Sequence, residues 1–279
     1  MGQKRCRQVI YGHPCYGGEA YHAYGRIHLP VAPRCNIGCN YCVRRHHCAN
    51  ENRPGVTSRI LRPEEALARV RAVVSTHPWV RVVGVAGPGD PLANEQTFET
   101  LRLVHVEFPS VIKCISTNGL LLPDRVEELV QVGVSSVTVT VNSVNPSVGA
   151  RIYSWARYGN DLFAGKEAAE LLIGQQLEGL KRAKALAMAV RVNTVLIPEV
   201  NGEHVVEVAS VAGQLGVDVM NLIPLIPQGK FSGLRAPEED ELARLRRECE
   251  PFVPQFRGCR QCRADSVGML GEVQMVSQK

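Results

Sequence analysis

The sequence predicts an α/β protein built around a partial (β/α)6 barrel, with an extension at each end of the chain. Six short runs rich in Val, Ile and Leu alternate with helical segments, which is typical of βαβ units with right-handed crossovers. The composition suits buried parallel strands, because 45% of the 279 residues are hydrophobic and only 5% are aromatic. Six such units are too few to close an eight-stranded barrel, so we expect an open, partial barrel.

Strands and helices are predicted in alternation along the chain. The strands are expected at residues 27–32, 80–86, 111–116, 136–141, 190–196 and 217–223. Pro63 and Pro123, each followed by acidic residues, predict the first turns of two helices. Residues 162–188 carry a long helical pattern rich in Ala, Leu and Lys. Asn201 is the expected N-cap of a further helix, which Gly216 ends.

Changes in this pattern divide the chain into three regions. Residues 1–25 form an N-terminal arm rich in Gly, His and Cys, and residues 26–226 hold the barrel. From residue 227 the alternation stops, and residues 227–279 are expected to fold over the barrel mouth. This C-terminal extension contains one charged helix at 237–249 and the sequence CRQCRAD at 259–265.

Composition and charge limit the classes of function. The chain has no apolar run of 18 or more residues and no charged leader before an apolar stretch, so we expect a cytoplasmic protein with no membrane partner. The net charge of +5 is mild and no basic stripe is interleaved with aromatics, so nucleic-acid binding is not expected. Ten cysteines without a secretion signal indicate metal or redox chemistry rather than disulfides.

The sequence CNIGCNYC at residues 35–42 is the most informative motif. Cys35, Cys39 and Cys42, at CxxxCxxC spacing, can bind three irons of a [4Fe–4S] cluster and leave the fourth iron without a protein ligand. That iron can chelate the amino and carboxylate groups of S-adenosylmethionine (SAM), whose sulfonium an electron then cleaves. Tyr41 precedes the last cysteine and is expected to lie against the adenine of SAM. A zinc site is the alternative, although zinc sites mostly use CxxC pairs and four ligands.

Turns that follow the predicted strands form the expected SAM pocket. Gly87 and Gly89 let the backbone approach a ligand after the second strand, and Asp90 can pair with the SAM ammonium group. The later strands carry four further candidates, whose side chains can bind the ribose hydroxyls and the carboxylate: Thr117, Asn118, Asn142 and Asn193. An ordinary turn or cap explains each of these residues equally well.

The chain has more thiols than one three-cysteine cluster needs. Cys259 and Cys262 form a CxxC pair that can bind a further cluster, bind zinc or act as a redox pair. Other candidate cluster ligands are Cys15, Cys48 and Cys114. His28 lies at the predicted barrel mouth among these thiols and is a candidate iron ligand, although most histidines in such positions are ordinary core residues. Cys6 and Cys249 have no clear partner set.

Several stretches of the chain match one family closely. They are HPCY at 13–16, RIHLPVAP at 26–33, CNIGCNYC at 35–42, CANENRPGV at 48–56, AGPGDPLAN at 86–94, CISTNG at 114–119, IY at 152–153, IPEVN at 197–201 and CRQCRAD at 259–265. Through these stretches, which span nearly the whole chain, the sequence resembles the NifB family, the radical SAM proteins of nitrogenase cofactor biosynthesis. Longer members of that family carry an additional C-terminal cofactor-carrier domain, so the chain resembles the minimal, stand-alone form.

The resemblance implies a fold and a reaction. It implies a radical SAM partial barrel that holds the SAM-binding cluster and two further [4Fe–4S] units, which are fused into the [8Fe–9S–C] precursor of the nitrogenase cofactor (NifB-co). One SAM donates a methyl group to a cluster sulfide, and a second yields a 5′-deoxyadenosyl radical that takes hydrogen from this methyl group. The carbon becomes the central carbide, and a ninth sulfide comes from an external source.

The resemblance also assigns ligands and partners by matched position. Four residues would serve one auxiliary cluster: Cys15, His28, Cys48 and Cys114. Cys259 and Cys262 would serve the other. Glu51, beside Cys48, is the expected proton acceptor for the methyl group, and it joins the three cysteines of the CxxxCxxC motif as a catalytic residue. The expected partners of this monomer are iron–sulfur assembly proteins, a cofactor carrier or scaffold, and a reductant such as ferredoxin or flavodoxin.

Two other functions remain open from the sequence. In the first, the chain is a radical SAM enzyme whose auxiliary clusters transfer electrons while a peptide or a small molecule is modified. In the second, it is a non-catalytic iron–sulfur scaffold, although a scaffold has no use for an intact SAM motif. A zinc-binding nucleic-acid module is the most distant alternative.

Overall fold

The computed structural model describes residues 2–43 and 59–270. The helices of these residues are α1 (Gly2–Gly12), α2 (Ala20–Ala23), α3 (Pro63–Thr76), α4 (Glu95–Glu107), α5 (Leu122–Gln131), α6 (Pro146–Ile152), α7 (Gly165–Ala185), α8 (Pro198–Asn201), α9 (Val205–Gln214) and α10 (Glu239–Cys249). The strands are β1 (Gly25–His28), β2 (Ile37–Cys39), β3 (Val80–Val85), β4 (Ile112–Thr117), β5 (Val134–Thr140), β6 (Tyr153–Tyr158), β7 (Asp161–Ala164), β8 (Ala189–Leu196), β9 (Val219–Pro224) and β10 (Val267–Met269).

The main sheet contains seven strands in the order β10-β1-β3-β4-β5-β8-β9. The six strands from β1 to β9 in this order are parallel to their neighbours, and helices connect them. This arrangement confirms the predicted partial barrel of six parallel strands. The seventh strand, β10, comes from the C-terminal extension and pairs antiparallel with β1, so the extension is part of the main sheet.

Five of the six barrel strands lie within two residues of the predicted limits. The exception is β1, which was expected to run to residue 32 but ends at His28. Pro30 and Pro33 follow it, and neither has the N–H group that a central strand needs. The region limits at residues 25 and 226 stay a prediction, although β1 begins at Gly25 and β9 ends at Pro224.

Two predicted helical features differ in the structure. The long helix was expected from residue 162, but residues 161–164 form β7, which pairs with β6 in a hairpin, and the helix begins at Gly165. The N-cap prediction for Asn201 is wrong, because Asn201 is the last residue of α8. Its amide accepts a hydrogen bond from the Ile197 N–H and donates to the carbonyls of Asn142 and Val195.

A second sheet of three strands, β2-β6-β7, supports the cysteine motif. Its strand β2 contains Cys39 and pairs antiparallel with β6, with Gly38 opposite Trp155. A Cβ at Gly38 would overlap the Trp155 indole, so only glycine lets the two strands approach at this point. The sequence pattern did not predict this sheet, whose strands are short and lie outside the barrel.

Of the three apolar clusters in the interior of the described residues, the two with the most members support the barrel and the cysteine motif. The larger cluster lies between the barrel strands and their covering helices. The smaller cluster lies beneath the cysteine motif and includes Ile37, Tyr41, Tyr153 and Phe231. The loop that carries the cysteines therefore rests on a packed base. No helix in residues 2–43 or 59–270 combines the length and the apolar composition needed to cross a membrane.

Candidate active site

The loop after β1 brings the thiols of Cys35, Cys39 and Cys42 together. Burial raises the pKa of Cys39 well above its usual range, and the neighbouring thiols of Cys35 and Cys42 raise it further. A thiol group of this kind is costly to ionise until a metal supplies positive charge, so these residues fit an iron–sulfur cluster. Each thiolate of a cluster binds a different iron. By contrast, the part of the chain that the structure describes contains no group of three His, Cys, Asp or Glu side chains arranged to hold one metal ion.

The glycine-rich turn after β3 lies directly against this loop. The Gly89 N–H donates to the Ala32 carbonyl at 2.6 Å, and the Asp90 N–H donates to the Arg34 carbonyl at 2.8 Å. A Cβ at Gly89 would lie 2.9 Å from the Ala32 oxygen and closer still to the Arg34 carbonyl. Gly87 has a φ of 136°, a conformation that favours glycine. Gly89 therefore allows the close backbone contact, and Gly87 allows the backbone conformation of the turn. The predicted contact of both glycines with SAM stays a prediction.

Asp90 links the turns that follow β3 and β4. Its carboxylate is 3% exposed and accepts hydrogen bonds from the Leu92 N–H, the Asn118 N–H and the Thr117 hydroxyl. The Thr117 hydroxyl oxygen in turn accepts from the Gly119 N–H at 3.1 Å. These contacts assign Asp90 and Thr117 a positioning role. The predicted pairing of Asp90 with the SAM ammonium group stays a prediction, as does the predicted binding of SAM by Thr117.

Two asparagines connect the strand ends to the cysteine motif. The Asn118 amide donates to the Asn36 side chain at 2.7 Å and contacts the Cys35 sulfur at 3.8 Å. The Asn142 amide donates to the Tyr41 hydroxyl at 2.9 Å. Both amides therefore hold the cysteine loop in place, and their predicted binding of SAM stays a prediction.

Tyr41 is fully buried, and its ring centre lies 6.4 Å from that of Phe231. A hydrogen bond from Tyr41 partly offsets the raised pKa of Cys39. The Tyr41 side chain therefore anchors the motif in the smaller apolar cluster. Its predicted contact with the adenine of SAM stays a prediction.

A cavity lies along the barrel strands, and residues of β1, β3, β4, β5, β8 and β9 line it. Its lining includes five of the predicted cluster ligands: Cys15, His28, Cys114, Cys259 and Cys262. Ala86 and Ser116 also line this cavity, and the next residues along the chain, Gly87 and Thr117, belong to the turns that hold the cysteine motif. The thiol-lined cavity therefore adjoins the loop of the SAM motif.

The structure groups Cys15 with Cys259 and Cys262, which the sequence did not predict. Cys15, Cys259 and Cys262 pack against one apolar cluster that contains Phe256. Burial raises the pKa of Cys262, and Cys15 and Cys259 raise it further, while Arg26 lowers it. The structure thus places Cys15 with the CxxC pair, whereas the resemblance assigned it to the set of His28 and Cys114. Which ligand binds which cluster stays a prediction.

His28 and Cys114 meet above Gly84 on the neighbouring strand. A Cβ built on Gly84 would lie 3.0 Å from the Cys114 sulfur and 3.4 Å from Nε2 of His28. The Nδ1 atom of His28 lies 3.0 Å from the Arg263 carbonyl, which can only accept, so Nδ1 carries the proton. Burial lowers the pKa of His28 to about 3, with Arg26 as the next cause. The ring is therefore neutral near pH 7, and its Nε2 lone pair is suited to bind a metal.

Three further residues line this cavity without having been predicted. His13 is buried, and its Nδ1 accepts a hydrogen bond from the Cys15 N–H at 3.1 Å. Burial lowers the pKa of His13 to about 3, with Arg191 and Arg26 as further causes. Arg26 has a signal in the sequence, because it lies two residues before His28 and so on the same face of β1. Arg191 has the same relation to Asn193 on β8.

Asn193 belongs to the thiol-lined cavity rather than to the cysteine loop. It lines this cavity, and its side-chain oxygen accepts hydrogen bonds from Nε and Nη2 of Arg191 at 3.1 and 2.9 Å. Its predicted role in binding SAM stays a prediction, while the contacts indicate that it orients Arg191.

The remaining candidates lie elsewhere. Cys48 and Glu51 fall outside the described residues, so their predicted roles as ligand and proton acceptor stay predictions. Cys6 contacts the Met188 carbonyl at 3.5 Å, and Cys249 is fully buried against the Val205 carbonyl. Neither thiol lines the cavity.

Comparison with known proteins identifies the class to which this fold and these cysteines belong. The model of the radical SAM superfamily matches residues 29–212, which is well over half of the chain, so the protein belongs to that superfamily. The structure also resembles SuiB of Streptococcus suis, with a TM-score of 0.59 and 14% identity over 92% of this chain and 54% of that one. Methylornithine synthase (PylB) gives a TM-score of 0.59 and 14% identity over 91% of this chain and 70% of that one. At such identities the likeness concerns the fold alone.

Curated relatives define the family more closely. The FeMo cofactor biosynthesis protein NifB of Methanocaldococcus infernus is 46% identical over 97% of this chain and 89% of that protein. NifB of Chlorobaculum tepidum is 43% identical over 95% of this chain and 63% of that protein. NifB of Klebsiella pneumoniae is 46% identical over 93% of this chain, which spans only 57% of that protein. The chain belongs to the NifB family, as its motifs predicted.

Proposed function

We propose that this protein is a radical SAM enzyme of nitrogenase cofactor biosynthesis whose substrates are two [4Fe–4S] clusters. It joins them around a carbon atom from the methyl group of SAM and adds a ninth sulfide, which gives an [8Fe–9S–C] product. The observation that carries this proposal is the adjacency of the thiol-lined cavity to the CxxxCxxC loop. Kinship with proteins named for FeMo cofactor biosynthesis supports it.

The CxxxCxxC loop is the SAM side of the proposed site. Cys35, Cys39 and Cys42 would hold the SAM-binding cluster, which when bound supplies the electron that cleaves the sulfonium of SAM. The Asn118 amide, 3.8 Å from the Cys35 sulfur, would donate a hydrogen bond to that thiolate. The hydrogen bonds from the Gly89 and Asp90 N–H groups to the backbone of the same loop would hold the thiols in position beside the cavity.

The thiol-lined cavity is the substrate side. Cys15, Cys259 and Cys262 would bind one substrate cluster, and His28 with Cys114 would bind the other. Each set leaves irons without a protein ligand, as substrates that must fuse and depart require. A neutral imidazole is the form of His28 that binds iron, and its lowered pKa keeps it neutral over the physiological range. Cys48 and Glu51 remain the proposed further ligand and proton acceptor.

The proposed reaction requires partners, because the chain alone supplies neither clusters nor electrons. Iron–sulfur assembly proteins would deliver the clusters, and a ferredoxin or flavodoxin would deliver electrons. A carrier or scaffold protein would receive the product, with this chain acting as a monomer.

Iron content after anaerobic reconstitution tests the proposal. About twelve irons per chain are expected, because three [4Fe–4S] units contain that number. Cys39→Ala should lose about four of these irons and abolish 5′-deoxyadenosine formation from SAM and dithionite, while Cys6→Ala, outside both sites, should match the wild type. About four irons in the wild type, or 5′-deoxyadenosine formation by Cys39→Ala, would contradict the proposal.

A further inference from the structure

Arg26 is a buried cation inside the thiol-lined cavity. Its side chain is 2% exposed and shares a face of β1 with His28. Its Nη1 donates to the Gly268 carbonyl at 3.1 Å, and its Nη2 contacts the Cys262 sulfur. Its Nε–H is buried and has no hydrogen-bond partner among the described residues. The Nε–H group of Arg26 is therefore a buried donor that a ligand in the cavity could satisfy.

The groups nearest the buried guanidinium of Arg26 include cysteine sulfurs. Burying a guanidinium is costly unless negative charge compensates it. The Arg26 guanidinium contacts the Cys262 sulfur and lines the same cavity as Cys15 and Cys259. Metal-bound thiolates would supply the missing negative charge.

Arg191 approaches the same thiols from the other side of the cavity. Its side chain is 6% exposed and its Nη1 donates to the Cys15 carbonyl at 3.3 Å. Asn193 fixes its orientation through two hydrogen bonds, and the guanidinium lies 5.1 Å from the ring centre of Phe256. Two oriented guanidinium groups therefore flank the set of Cys15, Cys259 and Cys262.

We propose that Arg26 and Arg191 are positioning residues for the iron–sulfur substrate, whose negative charge they offset and to whose sulfur atoms Arg26 donates hydrogen bonds. This inference rests on the proposed function. A [4Fe–4S] unit with thiolate ligands is an anion, and hydrogen bonds to its sulfurs raise its reduction potential. Arginine suits the role because it is always charged and presents several N–H groups in one plane, whereas lysine offers a single point charge.

Arg26→Met tests this role through the reduction potential of the bound cluster, which a merely structural residue would not change. The reconstituted chain is titrated with dithionite in the presence of redox mediators. The auxiliary clusters are followed by electron paramagnetic resonance. We expect the reduced fraction of one auxiliary cluster at a fixed potential to fall about tenfold, which is ~59 mV for one electron. Iron release to a chelator should also become about tenfold faster. The signal of the SAM-binding cluster is the internal reference.

Lys113→Met is the matched control. Lys113 is 1% exposed and lies on the same sheet, but it does not line the cavity and donates to the Phe108 and Pro109 carbonyls. It should leave the auxiliary potentials unchanged. Arg26→Lys keeps the charge and loses the planar donors, so it should retain the iron and still lower the potential. It carries the test if Arg26→Met does not fold.

The outcomes separate this inference from the proposed function. A wild-type chain with about twelve irons, together with Arg26 variants whose potentials match both wild type and Lys113→Met, would overturn the inference alone. A wild-type chain with about four irons would overturn the proposed function and the inference with it. A negative shift confined to the Arg26 and Arg191→Met variants would support the inference.

Discussion

Gly89→Ala probes the contact between the glycine-rich turn and the cysteine loop. The added Cβ would lie 2.9 Å from the Ala32 oxygen and 2.5 Å from the Arg34 carbonyl carbon, where real Cβ contacts begin above 3.0 Å. Both neighbours are backbone atoms, so no side chain can rotate away and the loop itself must move. Such overpacking costs about 1–3 kcal/mol. Gly89 has no left-handed φ, so the cost is steric.

The same displacement acts on two observables. At about 2–4 °C per kcal/mol for a domain of 150–250 residues, the midpoint of thermal unfolding should fall by several degrees. The loop also carries Cys35, one residue after Arg34, so the spectrum of the reconstituted SAM-binding cluster should change. Circular dichroism and electron paramagnetic resonance on the same sample measure both effects.

Gly233→Ala is the control for this substitution. Gly233 also has no left-handed φ, and nothing lies within 4 Å of the Cβ that alanine would add. Alanine there should leave stability unchanged or raise it by up to about 1 kcal/mol. If Gly89→Ala and Gly233→Ala gave the same unfolding midpoint and the same cluster spectrum, the close approach would not constrain the loop and the steric reasoning would be refuted.

Three further predictions concern buried polar groups. Asp90→Asn turns an amide NH2 toward the N–H and O–H groups that donate to Asp90. The free energy of unfolding, measured by denaturant titration, should therefore fall by about 1–3 kcal/mol. Asp161→Asn, at an exposed position, should have no effect. Burial raises the pKa of Cys249 to about 11, so only ~0.1% of this thiol is thiolate at pH 8. Iodoacetamide should therefore leave Cys249 unmodified in the native protein. Rapid alkylation of Cys249, measured by mass spectrometry, would contradict this prediction. His28→Ala should change the spectrum of an auxiliary cluster while His204→Ala does not, and two identical spectra would remove His28 from the ligands.

The alternation of strands and helices could be derived from the sequence because it depends on local patterns. Runs of β-branched residues mark β3, β4, β5, β8 and β9 wherever they occur, and right-handed crossovers leave few ways to arrange them. The cysteine motif is local in the same sense, since three ligands within eight residues need no tertiary contact to be recognised. The glycine-rich turn was located correctly for that reason as well.

The predictions for single side chains depend on partners that spacing does not reveal. Asp90 is a good candidate for a cation by its chemistry, yet its carboxylate accepts bonds from Leu92, Thr117 and Asn118. Asn193 was grouped with Asn142, but β8 directs it to Arg191 in the thiol-lined cavity, whereas Asn142 contacts Tyr41 of the cysteine loop. The position of each strand within the sheet decides whether its side chains reach the cysteine loop or the thiol-lined cavity.

The sequence by itself determined that this chain forms a partial barrel with a cysteine loop for SAM, because both follow from short-range patterns. Only the tertiary structure brought Cys15, from the N-terminal arm, beside Cys259 and Cys262 of the C-terminal extension. It also buried Arg26 among them. Cys15 and Arg26 are more than 200 residues from Cys259 and Cys262 in the chain. Their meeting depends on β10 pairing with β1, which no local pattern encodes.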